Sequence, residues 1–171
     1  MKIPDFDSLW SEVHSIQYGF TREEASALFE RCSCAPTGLA VEVGSMQGGS
    51  ARVIEATGRP VVCVDPIENP EYYAMFVANT KEHMIAHIRA KDYMLWPDWN
   101  YMIAVLLIDH DHKYDSTLSS LLNWRRHVRS DGVVFVHDYG GEDWPDVKPA
   151  TDASGLKIDG VVGRLAWGHW W

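Results

Sequence analysis

Two carboxylates that close apolar runs in this chain, with one histidine near the first, have types and spacing that suggest proton and metal chemistry. Asp109 and His112 stand three apart in L-L-I-D-H-D-H-K-Y, residues 106–114, and Asp138 closes V-V-F-V-H-D-Y, residues 133–139. If the chain turns after the first run, a carboxylate and an imidazole face one crevice. A hydroxyl is a poor nucleophile at neutral pH. A divalent cation held by carboxylates lowers its pKa, and a neutral imidazole near its own pKa takes the proton. Asp109 and His112 are therefore the candidate catalytic residues, and Asp109 with Asp138 the candidate ligands of a hard cation such as Mg²⁺. On composition alone, D-H-D-H reads equally well as a polar loop capping the next helix. The second carboxylate, at the end of a neighbouring strand, favours a site. His137, one residue earlier, is expected to point the opposite way in an extended chain.

The second chemical signal is L-A-V-E-V-G-S-M-Q-G-G-S, residues 39–50. An apolar strand ends near Glu42 and breaks into a glycine loop that opens a helix. Gly44 permits a sharp turn, Gly48 and Gly49 let backbone N–H groups approach a ligand, and the helix N-terminus favours an anionic group. Asp65 follows Gly44 by 21 residues, close to the ~20 expected of a carboxylate that binds ribose hydroxyls. Its plainer reading is a turn Asp before Pro66. The dinucleotide fingerprint G-x-G-x-x-G is not met, because Met46 replaces the middle glycine that admits a pyrophosphate. The loop thus points to an adenosyl cofactor other than NAD.

These residues need a scaffold that gathers strand ends. Strand and helix signals alternate with short connections, which predicts an α/β, Rossmann-like doubly wound sheet, mostly parallel, with two helices before it and an antiparallel C-terminal hairpin. Helices are expected over 6–16 and from the Thr21/Glu24 capping box to about 31. Strands follow at 39–43, 60–65, 88–91, 101–109 and 132–138. Helices are expected at 50–57, 71–88, 115–129 and from about 145, and the hairpin at 155–171, turning near 160–163. Glu42, Asp65, Asp109 and Asp138 then all lie at carboxyl ends of strands, where open sheets of this kind bind ligands. The 171 residues suit one domain: N-terminal helices over 1–37, a cofactor-binding core over 38–138, and a loop, short helix and hairpin over 139–171.

A formal charge of −9 disfavours nucleic acid as a partner. Three cysteines, no basic-then-apolar leader and no apolar run near ~20 residues suggest a reduced, cytoplasmic protein that does not enter membranes.

The segments V-E-V-G-S-M-Q-G-G-S, V-V-C-V-D-P, L-L-I-D-H-D-H-K-Y, D-G-V-V-F-V-H-D-Y, W-P-D-V-K-P-A and V-V-G-R-L-A-W together resemble class I S-adenosylmethionine-dependent methyltransferases. The chain is similar to a small bacterial family related to macrocin O-methyltransferases and, more distantly, to catechol O-methyltransferase, over about residues 38–167. The resemblance implies S-adenosylmethionine as cofactor, with Mg²⁺ as the metal. Glu42, Gly44 and Ser45, with Gly48 and Ser50 of the same motif, would hold the methionine part, Asp65 the ribose, and Asp92 in A-K-D-Y the adenine edge. Asp109 and Asp138 would ligate the metal, with Asp109 also bordering the cofactor, and His112 would be the base. The chain departs from the pattern at His110, where the family usually has glycine, at Lys91-Asp92-Tyr93, where it has G-D-S, and at His137, where macrocin-type enzymes place Glu.

The expected acceptor is a hydroxyl-bearing small molecule, a sugar or an aromatic. Trp96, Trp99, Trp144, Trp167, Trp170 and Trp171 lie in loops or near the terminus, where they could stack on it. The W-G-H-W-W tail equally suits a subunit interface, and a homo-oligomer is the favoured reading. His83 and His87, i and i+4 on an expected helix, read as a solvated face rather than a metal pair. Two rival functions are an NAD-binding oxidoreductase and a non-catalytic S-adenosylmethionine-binding protein, the latter because 139–152 leaves little chain for a lid.

Overall fold

The computed structural model describes residues 3–16 and 19–171. Helix α1 (Phe6–Val13) begins at Asp5, whose carboxylate accepts from Ser8 N at 3.0 Å. Helix α2 (Arg22–Cys34) begins with the reciprocal box the sequence predicts. Thr21 N donates to Glu24 Oε2 at 2.7 Å and Glu24 N donates to Thr21 Oγ1 at 3.2 Å.

Seven strands then form one sheet: β1 (Leu39–Val43), β2 (Val61–Val64), β3 (Ile85–Ile88), β4 (Ile103–Ile108), β5 (Val128–Val136), β6 (Lys157–Val162) and β7 (Leu165–His169). Their order is β3-β2-β1-β4-β5-β7-β6, parallel through β5 and antiparallel at the β5–β7 and β7–β6 pairs. Helices α3 (Gly49–Glu55), α4 (Pro70–Thr80), α5 (Tyr114–Trp124) and α6 (Val147–Ala153) fill the connections. The strand order reverses between β1 and β4, so a crevice opens beyond their carboxyl ends.

The central strands are apolar throughout because both faces are covered, and all six residues of β4 are buried. Alternate residues feed two cores. Ala40, Cys63, Val105, Leu107 and Phe135 pack with α1, α2 and α3, whereas Val41, Val64, Leu106, Ile108 and Val136 pack with Leu121 and Trp124 of α5. Each fully buried Leu or Ile contributes roughly 1.5–3 kcal/mol over leaving it exposed. Glu42 falls on the first of these faces with no exposed surface.

Four elements depart from the sequence reading. The helix expected over 71–88 ends at Thr80, and β3 begins at Ile85 rather than 88. β2 offers an unpaired edge, and residues 84–88 pair with it, Val61 N donating to Met84 O at 2.9 Å and Asp65 N to Ile88 O at 3.2 Å. This long-range pairing overrides local helical periodicity. His83 and His87 therefore share no helix face: His83 Nδ1 lies 3.1 Å from Glu55 Oε2, and His87 Nε2 lies 2.8 Å from the Asp65 carbonyl. Likewise α5 ends at Trp124 and β5 starts at Val128, with a register shift against β4 that absorbs the Asp131–Gly132 segment. The C-terminal tail packs on its own chain. Trp170 is buried, Trp167 covers Gly160 within the hairpin, and Arg125 lies over the Trp170 and Trp171 rings. No helix among the described residues is long and apolar enough to cross a membrane.

Candidate functional site

A cavity of about 640 Å³ opens at the carboxyl ends of β1, β2, β4 and β5. Its wall includes Gly44, Ser45, Ser50, Asp65, Asp92, Asp109, His112 and Asp138, so most residues singled out from the sequence meet on one surface. Glu42 and Gly48 lie behind that surface rather than on it.

On one side is the glycine loop. Gly44 adopts φ +89°, and a Cβ there would lie 1.9 Å from the Asp109 carbonyl oxygen, so the turn leaves β1 only by pressing its backbone against the end of β4. Asp65 knits this loop in place. Its Oδ2 accepts from Ser45 N at 2.7 Å and Met46 N at 2.9 Å, and its Oδ1 accepts from Ile67 N at 2.8 Å. Ser45 Oγ is buried and makes no hydrogen bond among the described residues. Beneath the loop, Ser50 Oγ donates to Glu42 Oε1, and Cys63 Sγ donates to Glu42 Oε2 at 3.3 Å. Burial pushes the Glu42 carboxyl up to about 7 against those two bonds. Asp92, in a single turn after β3, accepts at Oδ2 from Ser120 Oγ and from Trp124 Nε1 at 3.2 Å, which anchors its carboxylate to α5.

The opposite side carries the charged cluster. His112 Nε2 lies 3.2 Å from Asp109 Oδ1 and 3.0 Å from Asp138 Oδ2. His112 and Asp138 both take left-handed backbone conformations, with φ +59° and +57°, a strain that recurs at functional sites. Trp144 stacks on the His112 ring at 4.4 Å and 25° and is itself 40% exposed toward solvent. Burial opposes a charge on His112, but the bonds to Asp109 and Asp138 outweigh it and lift the imidazole to about 9. Asp109 and Asp138 lie below the usual carboxylate range because their bonds to His112 and His137 overcome burial.

Sequence reasoning missed three residues here. His137 was expected to face away from Asp138, yet its Nδ1 lies 3.4 Å from both Asp109 Oδ1 and Asp138 Oδ2. β5 ends at Val136 and the left-handed Asp138 breaks the two-residue alternation, so both side chains turn to one side. Arg164, in the β6–β7 turn, places Nη1 2.7 Å from Asp138 Oδ1 as an ion pair. Glu24 reaches the cluster from α2, with Oε2 3.7 Å from His137 Nε2 and Oε1 accepting from Arg164 N at 2.6 Å. Its capping-box spacing was the only trace of it in sequence, and that trace has a complete local explanation.

A family model described as "Methyltransferase domain" matches residues 41–139, which includes the glycine loop and all three members of the Asp109, His112 and Asp138 set. Solved structures share the fold at low identity. The apo structure of CalS11, a TDP-rhamnose 3'-O-methyltransferase of calicheamicin biosynthesis, matches with TM-score 0.67 and 15% identity, covering 96% of this chain and 92% of its own. The SAH-bound methyltransferase PaMTH1 of Podospora anserina matches with TM-score 0.72 and 12% identity, over 99% and 89%. The O-methyltransferase NovP matches with TM-score 0.62 and 19% identity, over 86% and 79%. No curated protein matches the chain.

Proposed function

The chain belongs to the methyltransferase domain family, and from that premise we propose that it moves a methyl group from S-adenosylmethionine to a hydroxyl on a small molecule, a sugar or an aromatic, with a divalent cation assisting. The observation that carries this reading is the convergence on one cavity of the Gly44–Met46 loop, tied down by Asp65, and an imidazole held between two carboxylates. CalS11 and NovP, whose names state O-methylation, support oxygen as the acceptor atom.

The loop residues suit the cofactor. Ser45 Oγ is a buried polar atom without a partner among the described residues, as a group reserved for a ligand would be. Asp65 retains acceptor capacity beside its three backbone bonds and faces the same cavity, where ribose hydroxyls would reach it. Ser50, bonded to Glu42, borders the methionine end, and Asp92 borders the adenine end.

Asp109 and Asp138 fit a divalent cation, since their oxygens and His137 Nδ1 lie within 4.8 Å of one another. Mg²⁺ or a related ion bound there would polarise the acceptor hydroxyl and lower its pKa. His112 Nε2, 3.2 Å from Asp109 and 3.0 Å from Asp138, would be the group placed to take the hydroxyl proton once a cation shared those carboxylates. Trp144 covers the ring and limits water around it. Alignment supplies most of the rate, because the methyl carbon and attacking oxygen must be held about 3–3.5 Å apart and in line.

The test is transfer of labelled methyl from S-adenosylmethionine to a panel of sugars and catechols. His112→Ala is expected to lower turnover by at least ~100-fold, the scale of general-base catalysis, while cofactor affinity stays within about threefold. Lost affinity with retained turnover would reassign His112 to binding.

A further inference from the structure

We propose that His137 is a third donor to the cation between Asp109 and Asp138, and that this mixed oxygen–nitrogen set, braced by Glu24, selects a later first-row transition metal such as Co²⁺ or Zn²⁺ over Mg²⁺. The inference rests on the metal-assisted reading above and goes beyond it in naming the class of ion.

The ring is placed for this. His137 is 3% exposed, and its Nδ1 stands 3.4 Å from one oxygen of each carboxylate. Donors about 2.1 Å from a shared ion lie about 3.0–3.4 Å from one another, depending on whether they meet at octahedral or tetrahedral angles. Both separations fall at the tetrahedral end of that span. Phe20 stacks on the ring at 4.0 Å and 10°, which fixes its plane.

The other ring nitrogen is equally informative. An imidazole that binds metal through Nδ1 carries its proton on Nε2 and needs an acceptor behind it, usually a carboxylate. His137 Nε2 is buried without a hydrogen bond among the described residues, and the nearest carboxylate is Glu24 Oε2 at 3.7 Å. Glu24 is itself immobilised from two sides, by Thr21 N at 2.7 Å and Arg164 N at 2.6 Å. One buried carboxylate thus joins helix α2, the β6–β7 turn and the cluster, and it faces the nitrogen a metal-bound His137 leaves outward. His112 Nε2 competes for the same two carboxylate oxygens, while Arg164 takes the remaining oxygen of Asp138.

The donor set decides the ion. An all-oxygen site suits Mg²⁺, which gains little from nitrogen, whereas imidazole favours the later first-row divalent ions. Transition ions outbind Mg²⁺ at many sites, so the informative quantity is the change in preference when the nitrogen is replaced.

The experiment titrates the full chain, saturated with S-adenosylhomocysteine, with CoCl₂ and separately with MgCl₂ by calorimetry, following the visible absorption of bound Co²⁺. His137→Asp and Glu24→Gln are measured alongside, each after a melting curve confirms folding. In the native protein Co²⁺ should bind at least ~10-fold more tightly than Mg²⁺. His137→Asp should cut that ratio by at least ~10-fold and alter the Co²⁺ spectrum. Glu24→Gln should weaken Co²⁺ by ~10–100-fold, the usual effect of losing a partner behind a ligand, while Mg²⁺ affinity changes less than threefold. If both ions bind and the ratio and spectrum survive the substitutions, the assignment of His137 is overturned and the metal-assisted reading stands. If neither ion binds the native protein, both fall. Should one variant fail to fold, the other still decides.

Discussion

Gly44 and Gly58 form a matched pair that tests how the site is built. Their backbones are nearly alike, with φ +89° and +86°. Their surroundings differ: a Cβ on Gly58 meets nothing within 4 Å, whereas one on Gly44 would lie 1.9 Å from the Asp109 carbonyl oxygen and 2.5 Å from its carbon. Gly58→Ala therefore costs only the left-handed conformation, roughly 1–2 kcal/mol. Gly44→Ala adds a clash with backbone that cannot rotate away, and forced overpacking costs about 1–3 kcal/mol more. At 2–4 °C per kcal/mol for a chain of this size, and with the clash near the upper end, Gly44→Ala should melt about 6–12 °C below Gly58→Ala. The atoms that must move belong to Asp109, so the damage should also reach the site. Calorimetry should show S-adenosylhomocysteine affinity reduced at least ~10-fold in Gly44→Ala and unchanged in Gly58→Ala. If the two variants melt within about 2 °C of each other, the tight contact between loop and β4 is not real and the reasoning fails.

Two further outcomes are expected. Glu42 has its carboxyl raised by burial from 4.5 to about 7, so the folded chain holds more protons than the unfolded chain between those pH values. Its contribution is fully present below pH 4.5 and is lost as pH rises to 7, a fall on the order of 3 kcal/mol. In denaturant titrations at several pH values, the native-minus-Glu42→Gln difference should drop by that order over this window, and a flat difference would refute the assignment. Asp109→Asn should abolish methyl transfer whether or not divalent ions are added, whereas EDTA should abolish transfer by the native protein until excess divalent ion is restored. Full activity in EDTA would remove the metal from the account.

The parts legible in the sequence were those with local causes. β1, β2 and β4 announced themselves as apolar runs because both faces are covered, and the glycine loop did so because the backbone there needs left-handed turns. Asp109 and Asp138 could be placed because a carboxylate after an apolar run has few places to go but the strand's end. β3 was misplaced because its four residues are held by an edge of β2, not by their own periodicity. The innermost part of the cluster was hidden for the same reason. Glu24, His137 and Arg164 lie on α2, after β5 and in the last hairpin, and only the closed fold brings them within 4 Å of shared partners. Trp170, expected in an interface, found cover on its own core beside Arg125.

The Glu42–Ser50 loop is proposed to hold S-adenosylmethionine rather than a dinucleotide. Calorimetric titration of the native chain with S-adenosylhomocysteine and, separately, with NAD tests it most directly. Saturable one-to-one binding of S-adenosylhomocysteine and no heat from NAD are expected, since Met46 occupies the position where a pyrophosphate needs glycine. Binding of NAD without S-adenosylhomocysteine would contradict it.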